Sequence, residues 1–541
     1  MLAFGILLST FVLSLVALLC FVWSLRKGFF DSDPAGALVI FSPGGIGHSE
    51  EPASTPQGLA ALRHAAGVAG TEPDASVQER LSADRSSASA ALVLISSAVF
   101  WLLLGSLAGI VSSIKLHQPD WLAGTAWLTF GRLRTIHLNT VAYGWTSLSE
   151  LGIATWMIPR LLRTQLVGGR YAIIGAAIWN LGLAAGVVCI ASGWNAGMEW
   201  LEIPWQAGSL FAIGGALIGI PLLLTLRNKN VDHLYVSVWY MGAALFWFPA
   251  LYFVAKFPGV HTGVEQATMN WWYGHNVLGL FFTPLGLAAV YYFVPKVIGR
   301  PIKSYNLSLL GFWALAFFYG QVGAHHLIDG PIPAWLVTLS IVQSVMMLVP
   351  VIAFSLNQHL TMKGHFALVR HSPTLRFVLL GAMFYTLASV QGTMEALRTV
   401  NTVTHFTHFT VAHAHLGMYG FVAMVMFGAI YFALPRIIEA EWPFPRLISL
   451  HFWLVVSGFA VYFVFLTIGG WLQGLVLLDA HRPFIDSVTI TLPYLKGRSI
   501  GGALMTLGHF VFAAHVVMLL LRSPRLAMFR RNLINPGVET A

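Results

Sequence analysis

The chain has 541 residues, of which 57% are hydrophobic and 9% are charged, and its net charge is +9. Soluble domains carry about 25% charged residues, so this composition excludes a soluble enzyme or binding domain and indicates a membrane protein. The basic residues lie in loops between apolar runs and form no cluster, so the positive charge does not indicate nucleic-acid binding.

The N-terminal region contains one apolar run near residues 3–25, followed by a polar stretch. This run lacks a basic start and ends in Ser24-Leu25-Arg26-Lys27 rather than at a small-residue cleavage site, so we interpret it as a retained anchor helix. Residues 42–89 are rich in small, polar and charged residues without an apolar period, which predicts a flexible cytoplasmic linker.

Apolar runs of about 18 residues or more continue through the rest of the chain and predict membrane-spanning segments. Runs of this length favour helices over barrel strands, because each helix satisfies its own backbone hydrogen bonds in lipid. Twelve such runs lie near 90–114, 135–159, 171–194, 207–226, 233–255, 268–295, 304–326, 333–357, 374–397, 403–435, 447–475 and 498–521.

The predicted fold is therefore an all-α membrane protein, a twelve-helix bundle preceded by one extra N-terminal transmembrane helix. We expect four parts: residues 1–41 with the first helix, the linker 42–89, the bundle 90–525 and a tail 526–541. Lys and Arg are roughly twice as frequent after even-numbered helices of the bundle as after odd-numbered ones, which predicts a cytoplasmic C-terminus.

The two cysteines, Cys20 and Cys189, fall inside predicted spans, and the chain contains no Cys-X-X-Cys-His motif. This pattern excludes a disulfide framework, a thiolate metal site and covalent heme attachment. Any c-type cytochrome must be another subunit.

The 20 histidines are unusual in so apolar a chain, because ionisable groups at membrane depth are expensive and usually functional. In the tenth predicted helix of the bundle, His413 and His415 are two positions apart, about 200° around a helix, so their imidazoles leave opposite sides. This arrangement suits two hemes. His137, near the outer end of the second helix, can supply the second ligand of one heme, and Arg132 and Arg134 beside it serve either heme propionates or interfacial anchoring.

A second group of histidines comprises His275 in the sixth helix and His325 and His326 at the end of the seventh. Adjacent residues on a regular helix diverge by about 100°, but a frayed helix end allows both to face one ion. Three imidazoles suit copper or zinc. Tyr319 lies within about two turns of His325, where its phenol can give an electron and a proton to O2 or simply pack.

Further short motifs accompany these histidines, and the resulting sequence from about 90 to 525 resembles the catalytic subunit of cbb3-type cytochrome c oxidases in the heme-copper oxidase superfamily. The motifs are Phe130-Gly131-Arg132-Leu133-Arg134, Asp232-His233-Leu234-Tyr235-Val236, Tyr291-Tyr292-Phe293-Val294-Pro295-Lys296, Arg300-Pro301, Ser304-Tyr305-Asn306-Leu307-Ser308, Thr399-Val400-Asn401 and His451-Phe452-Trp453-Leu454.

This resemblance implies roles for individual residues. His137 and His415 would ligate low-spin heme b, His413 would ligate high-spin heme b3, and Tyr319 would be cross-linked to His275. The resemblance also implies that His275, His325 and His326 bind copper (CuB). It further implies a propionate and calcium region at Arg132, Arg134, Glu199, Glu202 and His405. A cytoplasmic proton path would run through Thr283, Tyr291, Tyr305 and Ser308.

The implied activity is that of a terminal oxidase in the bacterial inner membrane, which reduces O2 to water and couples this reaction to proton translocation. Its implied partners are membrane-anchored c-type cytochrome subunits and soluble cytochrome c as upstream donor. The run from Phe21 to Asp31 also resembles a small single-helix assembly protein of these oxidases, which would make the chain a natural fusion; an anchor helix of other descent is the alternative.

One position departs from the family pattern. The family has Glu-Gly-Pro where this chain has Gln391-Gly392-Thr393, and an acid occurs instead at Glu395. The family's acid bonds the proximal histidine and makes it more basic, so the neutral Gln391 predicts a higher reduction potential for the high-spin heme.

Nitric oxide reductase, a relative with non-heme iron, is the main alternative function. Hard iron favours a carboxylate ligand, which that enzyme places one turn after the sixth-helix histidine, whereas this chain has Gly279 there. A transporter or non-catalytic heme sensor is a further alternative, but it explains neither the three-histidine group nor Tyr319.

Overall fold

The computed structural model describes residues 74–522 and, before them, residues 35–42, 45–51 and parts of 11–27. The predicted first helix near 3–25 lies mostly outside these residues, and the tail 526–541 lies outside them entirely.

Within residues 74–522 the regular elements are helical, and twelve of them are long enough to form the predicted bundle. By length and hydropathy, 11 of the described helices can cross a membrane, and residues 130–161 form the remaining one. In chain order they are α1 (Asp74–Lys115), α2 (130–161), α3 (Gly169–Ser192), α4 (Trp205–Arg227), α5 (Val236–Lys256), α6 (Gly263–Ile298), α7 (Tyr305–Leu327), α8 (Ala334–Met362), α9 (Pro373–Ala396), α10 (His408–Ile438), α11 (Arg446–Leu478) and α12 (Phe484–Leu521).

Shorter helices occupy some of the connections. They are Ala35–Leu38 before the bundle, Ala126–Leu128 before α2, Phe366–Arg370 before α9, and Arg398–Thr404 between α9 and α10. The all-helical, twelve-helix prediction is confirmed for the described part of the chain.

The start of α1 corrects the predicted boundary near residue 90, because the helix begins at Asp74. Apolar periodicity detects only the apolar part of a helix, whereas residues 74–89 are mostly polar, with helix formers such as Ala, Arg, Gln and Glu among them. Asp84, within this extension, is buried and its carboxylate lies 3.3 Å from the Arg160 guanidinium. Residues 74–89 are therefore not a flexible linker.

The centre of the bundle is formed by α6 and α10. In the most apolar stretch of each of these two helices, 89% of the residues are buried, compared with 33–56% in the other membrane-length helices. The candidate ligands His275, His413 and His415 thus belong to deeply enclosed helices, as does His137 on α2, in which 14 of the 15 residues of Ser147–Leu161 are buried.

Four of the bundle helices depart from α-helical winding, and each departure adjoins a candidate ligand. Wider π-helical turns occur at Thr140–Thr146 in α2, Leu278–Phe282 in α6 and Leu416–Ala423 in α10. The end of α7 is a tighter 3-10 helix, Tyr319–Leu327. Such irregular turns are frequent at functional sites.

Candidate functional site

His137 on α2 and His415 on α10 face each other as a parallel pair. Their ring centroids are 6.3 Å apart with an interplanar angle of 11°. Two metal–imidazole bonds of about 2.0–2.1 Å and two ring radii of about 1.1 Å sum to roughly this separation. The separation between the rings would therefore accommodate one metal ion bound by both imidazoles.

Hydrogen bonds from the pair fix which nitrogen of each ring is available. His137 Nδ1 lies 2.8 Å from the Gly105 carbonyl, and His415 Nδ1 lies 2.8 Å from the Val411 carbonyl. Since a carbonyl only accepts, each Nδ1 carries the proton and each Nε2 is left as a ligand atom. The Tyr462 hydroxyl lies 3.1 Å from His415 Nε2 and donates to it, so a metal bound at this nitrogen would replace that hydrogen bond.

His413 lies on the other side of α10 from this pair. Its ring packs against α9, where a Cβ atom at Gly392 would lie 2.8 Å from His413 Cε1. Its Nδ1 is buried and has no hydrogen-bond partner among the described residues. The structure thus directs His413 and His415 to different neighbours, as the two-position spacing predicts.

His275, His325 and His326 form a compact group. Their candidate ligand nitrogens all lie within 4.8 Å of one another, and among the described residues no other group of three His, Cys, Asp or Glu side chains meets this criterion. His325 Nδ1 lies 3.1 Å from the Ser344 hydroxyl, which itself donates to the Ser340 carbonyl. Ser344 therefore accepts from His325 and leaves its Nε2 for a metal.

The 3-10 winding at the end of α7 brings His325 and His326 to α6. A Cβ atom at Gly323 would overlap the Trp271 carbonyl, so only glycine permits the backbone of α7 to approach α6 this closely. The His325 amide donates to the Ser340 hydroxyl at 2.9 Å, and the His326 ring stacks on Trp271 with centroids 4.1 Å apart. The predicted frayed end is thus a well-packed 3-10 segment.

Tyr319 lies beside this group, with its ring centroid 5.4 Å from that of His275. The phenol ring occupies the space that a side chain at position 279 would need, because a Cβ atom at Gly279 would overlap it. A glutamate at 279 and the present position of Tyr319 are therefore mutually exclusive. This contact bears directly on whether the site favours copper or non-heme iron.

Arg134, Glu199 and Glu202 form an ion-pair cluster near the start of α2. Arg134 bonds Glu199 and lies 3.8 Å from Glu202, which also accepts from Asn139 at 3.0 Å. Burial raises the pKa of Glu202 to about 7, although Asn139 and Arg134 oppose the shift. Arg132 instead donates to the Ala126 carbonyl at 2.9 Å.

His405 lies in the connection between α9 and α10. Its side chain bonds the backbone of His326, and burial lowers its pKa. This bond ties the connection to the three-histidine group.

Three of the four predicted proton-path residues lie around Tyr235 in the structure. The Tyr235 hydroxyl donates to the Tyr291 carbonyl at 2.8 Å, and the Tyr235 ring lies 6.5 Å from that of Tyr305. Ser308 donates to the Tyr305 carbonyl at 2.6 Å, whereas Thr283 lies about two turns from Tyr291 on α6.

Several residues of the site carry no signal in the sequence. Tyr462, Ser340 and Ser344 belong to common residue types on apolar helices, and Gly323 resembles any other helical glycine. A search for glycine and serine within one to two turns of the candidate ligands would have found Gly323. Only the packing of separate helices shows which serine, glycine and tyrosine residues contact the histidines.

Comparisons with known proteins agree with this geometry. The family described as cytochrome c and quinol oxidase polypeptide I matches residues 89–504. The cbb3-type cytochrome c oxidase subunit CcoN1 of Stutzerimonas stutzeri is 31% identical over 431 residues, which cover 77% of this chain and 91% of that protein. A nitric oxide reductase subunit of the same organism is 25% identical over 415 residues, covering 70% of this chain and 84% of that protein.

A solved structure of a heme-copper terminal oxidase dimer is also similar. It aligns with a TM-score of 0.64 at 15% identity, covering 80% of this chain and 84% of that chain. At this identity the likeness shows the shared fold.

We predict that Gly279→Ala destabilises the protein through the Tyr319 ring. Overpacking costs about 1–3 kcal/mol, so thermal unfolding in detergent should shift to lower temperature. Gly242→Ala is the matched control, because it lies in α5 with no atom within 4 Å of its added Cβ. Equal unfolding temperatures for both variants and the wild type would show that Tyr319 does not occupy this space.

Proposed function

Because the chain belongs to the cytochrome c and quinol oxidase polypeptide I family, we propose that it is the catalytic subunit of a cbb3-type terminal oxidase. It is a multi-pass membrane protein that reduces O2 to water with electrons from c-type cytochrome. The observation that carries this proposal is the arrangement around α10, where a three-histidine group and His413 lie apart from the parallel pair of His137 and His415.

The family implies hemes and copper, and the residues present fit these groups. His137 and His415 would hold low-spin heme b, since each ring has its Nδ1 on a backbone carbonyl and the two rings lie parallel with centroids 6.3 Å apart. His413 would hold high-spin heme b3, and the all-imidazole set of His275, His325 and His326 suits CuB. When bound, these groups supply one-electron transfer and the binding of O2.

The protein's own residues position the ligands and handle protons. Ser344 and the carbonyls of Gly105 and Val411 hold three histidines in the tautomer that leaves Nε2 for a metal. Tyr319 places a phenolic O–H beside His275, where it can give a proton and an electron to the substrate.

Protons for water formation reach the site from the cytoplasmic side along Tyr305, Ser308, Tyr291 and Thr283. The Tyr291 hydroxyl is buried without a protein partner among the described residues, so a water molecule is its expected neighbour. Turnover therefore moves charge across the bacterial inner membrane, in which the C-terminus is cytoplasmic.

The proposed partners are membrane-anchored c-type cytochrome subunits, with soluble cytochrome c as upstream donor. Residues 90–525 form the catalytic domain in this proposal, and residues 1–41 a helix related to an oxidase assembly protein. Calcium fits less well than the hemes and copper, because Arg134 already pairs with both Glu199 and Glu202.

Nitric oxide reductase is disfavoured by the same contacts. Tyr319 fills the space beyond Gly279 in which that enzyme's iron-binding carboxylate would lie. The lower identity to the reductase subunit, 25% against 31% for the oxidase subunit, agrees with this assignment.

The central test is O2 uptake by the purified protein complex with reduced cytochrome c. The wild type should consume O2, and Tyr319→Phe should slow turnover by about 100-fold or more, since positioned proton donors contribute factors of this size. Tyr171→Phe, at a side chain 44% exposed, is the control and should keep wild-type activity. Failure of the wild type to consume O2 would refute the assigned reaction.

Metal content tests the copper site separately from activity. His326→Ala removes one of three imidazoles, so the purified variant should lose most of its copper while it keeps two hemes per chain. His481→Ala, in the exposed connection between α11 and α12, should keep both. Iron rather than copper in the wild-type site would favour the reductase instead.

The Gln391 position tests how the chain tunes the high-spin heme. Gln391 Oε1 and His413 Nδ1 are both buried without partners among the described residues, and Gly392 packs on His413. Gln391→Glu should lower the reduction potential of the high-spin heme, because a carboxylate beside His413 favours the oxidised iron. Each tenfold change in the equilibrium between the oxidised and reduced forms corresponds to about 59 mV.

Spectroelectrochemical titration measures this potential. Gln206→Glu adds the same charge at an exposed position near the start of α4 and should leave the potential unchanged. Equal potentials in Gln391→Glu and the wild type would exclude an influence of position 391 on the heme.

A further inference from the structure

A segment before the family-matched residues docks onto one end of the bundle. The family match begins at residue 89, whereas the contacts described here come from residues 35–42 and 45–51, which we call the docking segment. Its Gly47 amide donates to the Gly299 carbonyl at 2.7 Å, and its Glu50 amide donates to the Lys296 carbonyl at 3.0 Å. Both acceptors lie at the inner end of α6.

The Glu50 side chain is the centre of this contact. Its carboxylate accepts from Lys296 Nζ at 2.8 Å. Three guanidinium groups also lie near it, those of Arg160 at 3.6 Å, Arg80 at 3.8 Å and Arg436 at 4.0 Å. Four cations from α1, α2, α6 and α10 thus converge on one carboxylate.

These cations need an anion because two of them are buried. The side chains of Arg160 and Lys296 are each 5% exposed, and Asp84 is the other carboxylate close to Arg160. Burial raises the pKa of Glu50, but the four cations outweigh this effect and hold the pKa well below its ordinary value. Glu50 therefore remains ionised at neutral pH.

Further contacts hold the docking segment on both sides of Glu50. The Arg436 guanidinium donates to the Glu50 carbonyl at 2.6 Å, and the Arg163 guanidinium donates to the Phe41 carbonyl at 2.6 Å. The Glu51 carboxylate accepts from Ser372 and, at 3.0 Å, from Thr374 at the start of α9. The segment therefore joins the inner ends of α2, α6, α9 and α10.

We propose that Arg80, Arg160, Lys296 and Arg436 form a carboxylate-binding site at the inner end of the bundle and that Glu50 is its ligand in cis. The docking segment is thus a cap that the chain supplies to its own catalytic unit. The cap covers Tyr305, because a Cβ atom at Gly36 would lie 2.6 Å from Tyr305 Cε1. If Tyr305 begins a proton path, as the proposed function has it, the cap also covers the inner end of that path.

Hydrogen exchange on the full-length complex in detergent tests the site directly. The amides of Gly47 and Glu50 should be protected in the wild type, and Glu50→Gln should speed their exchange by about tenfold or more, because local opening sets the rate. Glu439→Gln is the matched control, since its pair with Arg85 is at an exposed surface, with side chains 39% and 59% exposed.

A rescue experiment separates a carboxylate site from general loosening. Glu50→Ala leaves room for a small anion, so added acetate should restore protection of the Gly47 amide, and chloride at equal ionic strength should not. Unchanged exchange in Glu50→Gln, or equal effects of acetate and chloride on Glu50→Ala, would overturn the proposal.

Neither readout depends on catalysis. Absence of O2 uptake by the wild type would count against the proposed oxidase function and leave the docking site intact. Conversely, normal O2 uptake by the wild type with unprotected Gly47 and Glu50 amides would refute the docking proposal and leave the proposed oxidase function standing.

Discussion

Every imidazole that can bind a metal has two ring nitrogens, and in three of the candidate ligands the protein satisfies one nitrogen so that the other is left for the metal. His137 and His415 donate to backbone carbonyls, and His325 donates to Ser344. Because a carbonyl only accepts, and the Ser344 hydroxyl already donates elsewhere, each hydrogen bond fixes a tautomer as well as a ring orientation. The candidate metal chemistry depends on this constraint.

A regular α-helix cannot meet this constraint at every ligand. Its side chains advance by about 100° per residue, yet His325 and His326 are adjacent and converge on His275. The 3-10 segment of α7 and the π turns that follow His137, His275 and His415 change the winding locally. The irregular turns therefore allow well-buried helices to bring imidazoles from different helices together at the two candidate metal sites.

At the end of the bundle where the docking segment binds, the charged side chains depend on a different constraint. Arg160 and Lys296 lie near the ends of their helices and are buried, so they require anions. Asp84 of α1 lies 3.3 Å from Arg160, and Lys296 requires a further anion. Glu50 supplies it from a segment with no apolar pattern of its own. The polar composition that predicts a linker is thus also the composition that allows residues 45–51 to satisfy buried cations.

The sequence alone determined the fold class and the residue types of the site. Long apolar runs require helices in lipid, and the spacing of His413 and His415 places them on different sides of α10 whatever the rest of the chain does. Only the tertiary structure decided which groups meet these side chains, because Gly279 against Tyr319, Gly323 against Trp271 and Glu50 among four cations are contacts between distant positions. Local periodicity reports how a helix meets an apolar environment, whereas a specific partner depends on how separate helices pack.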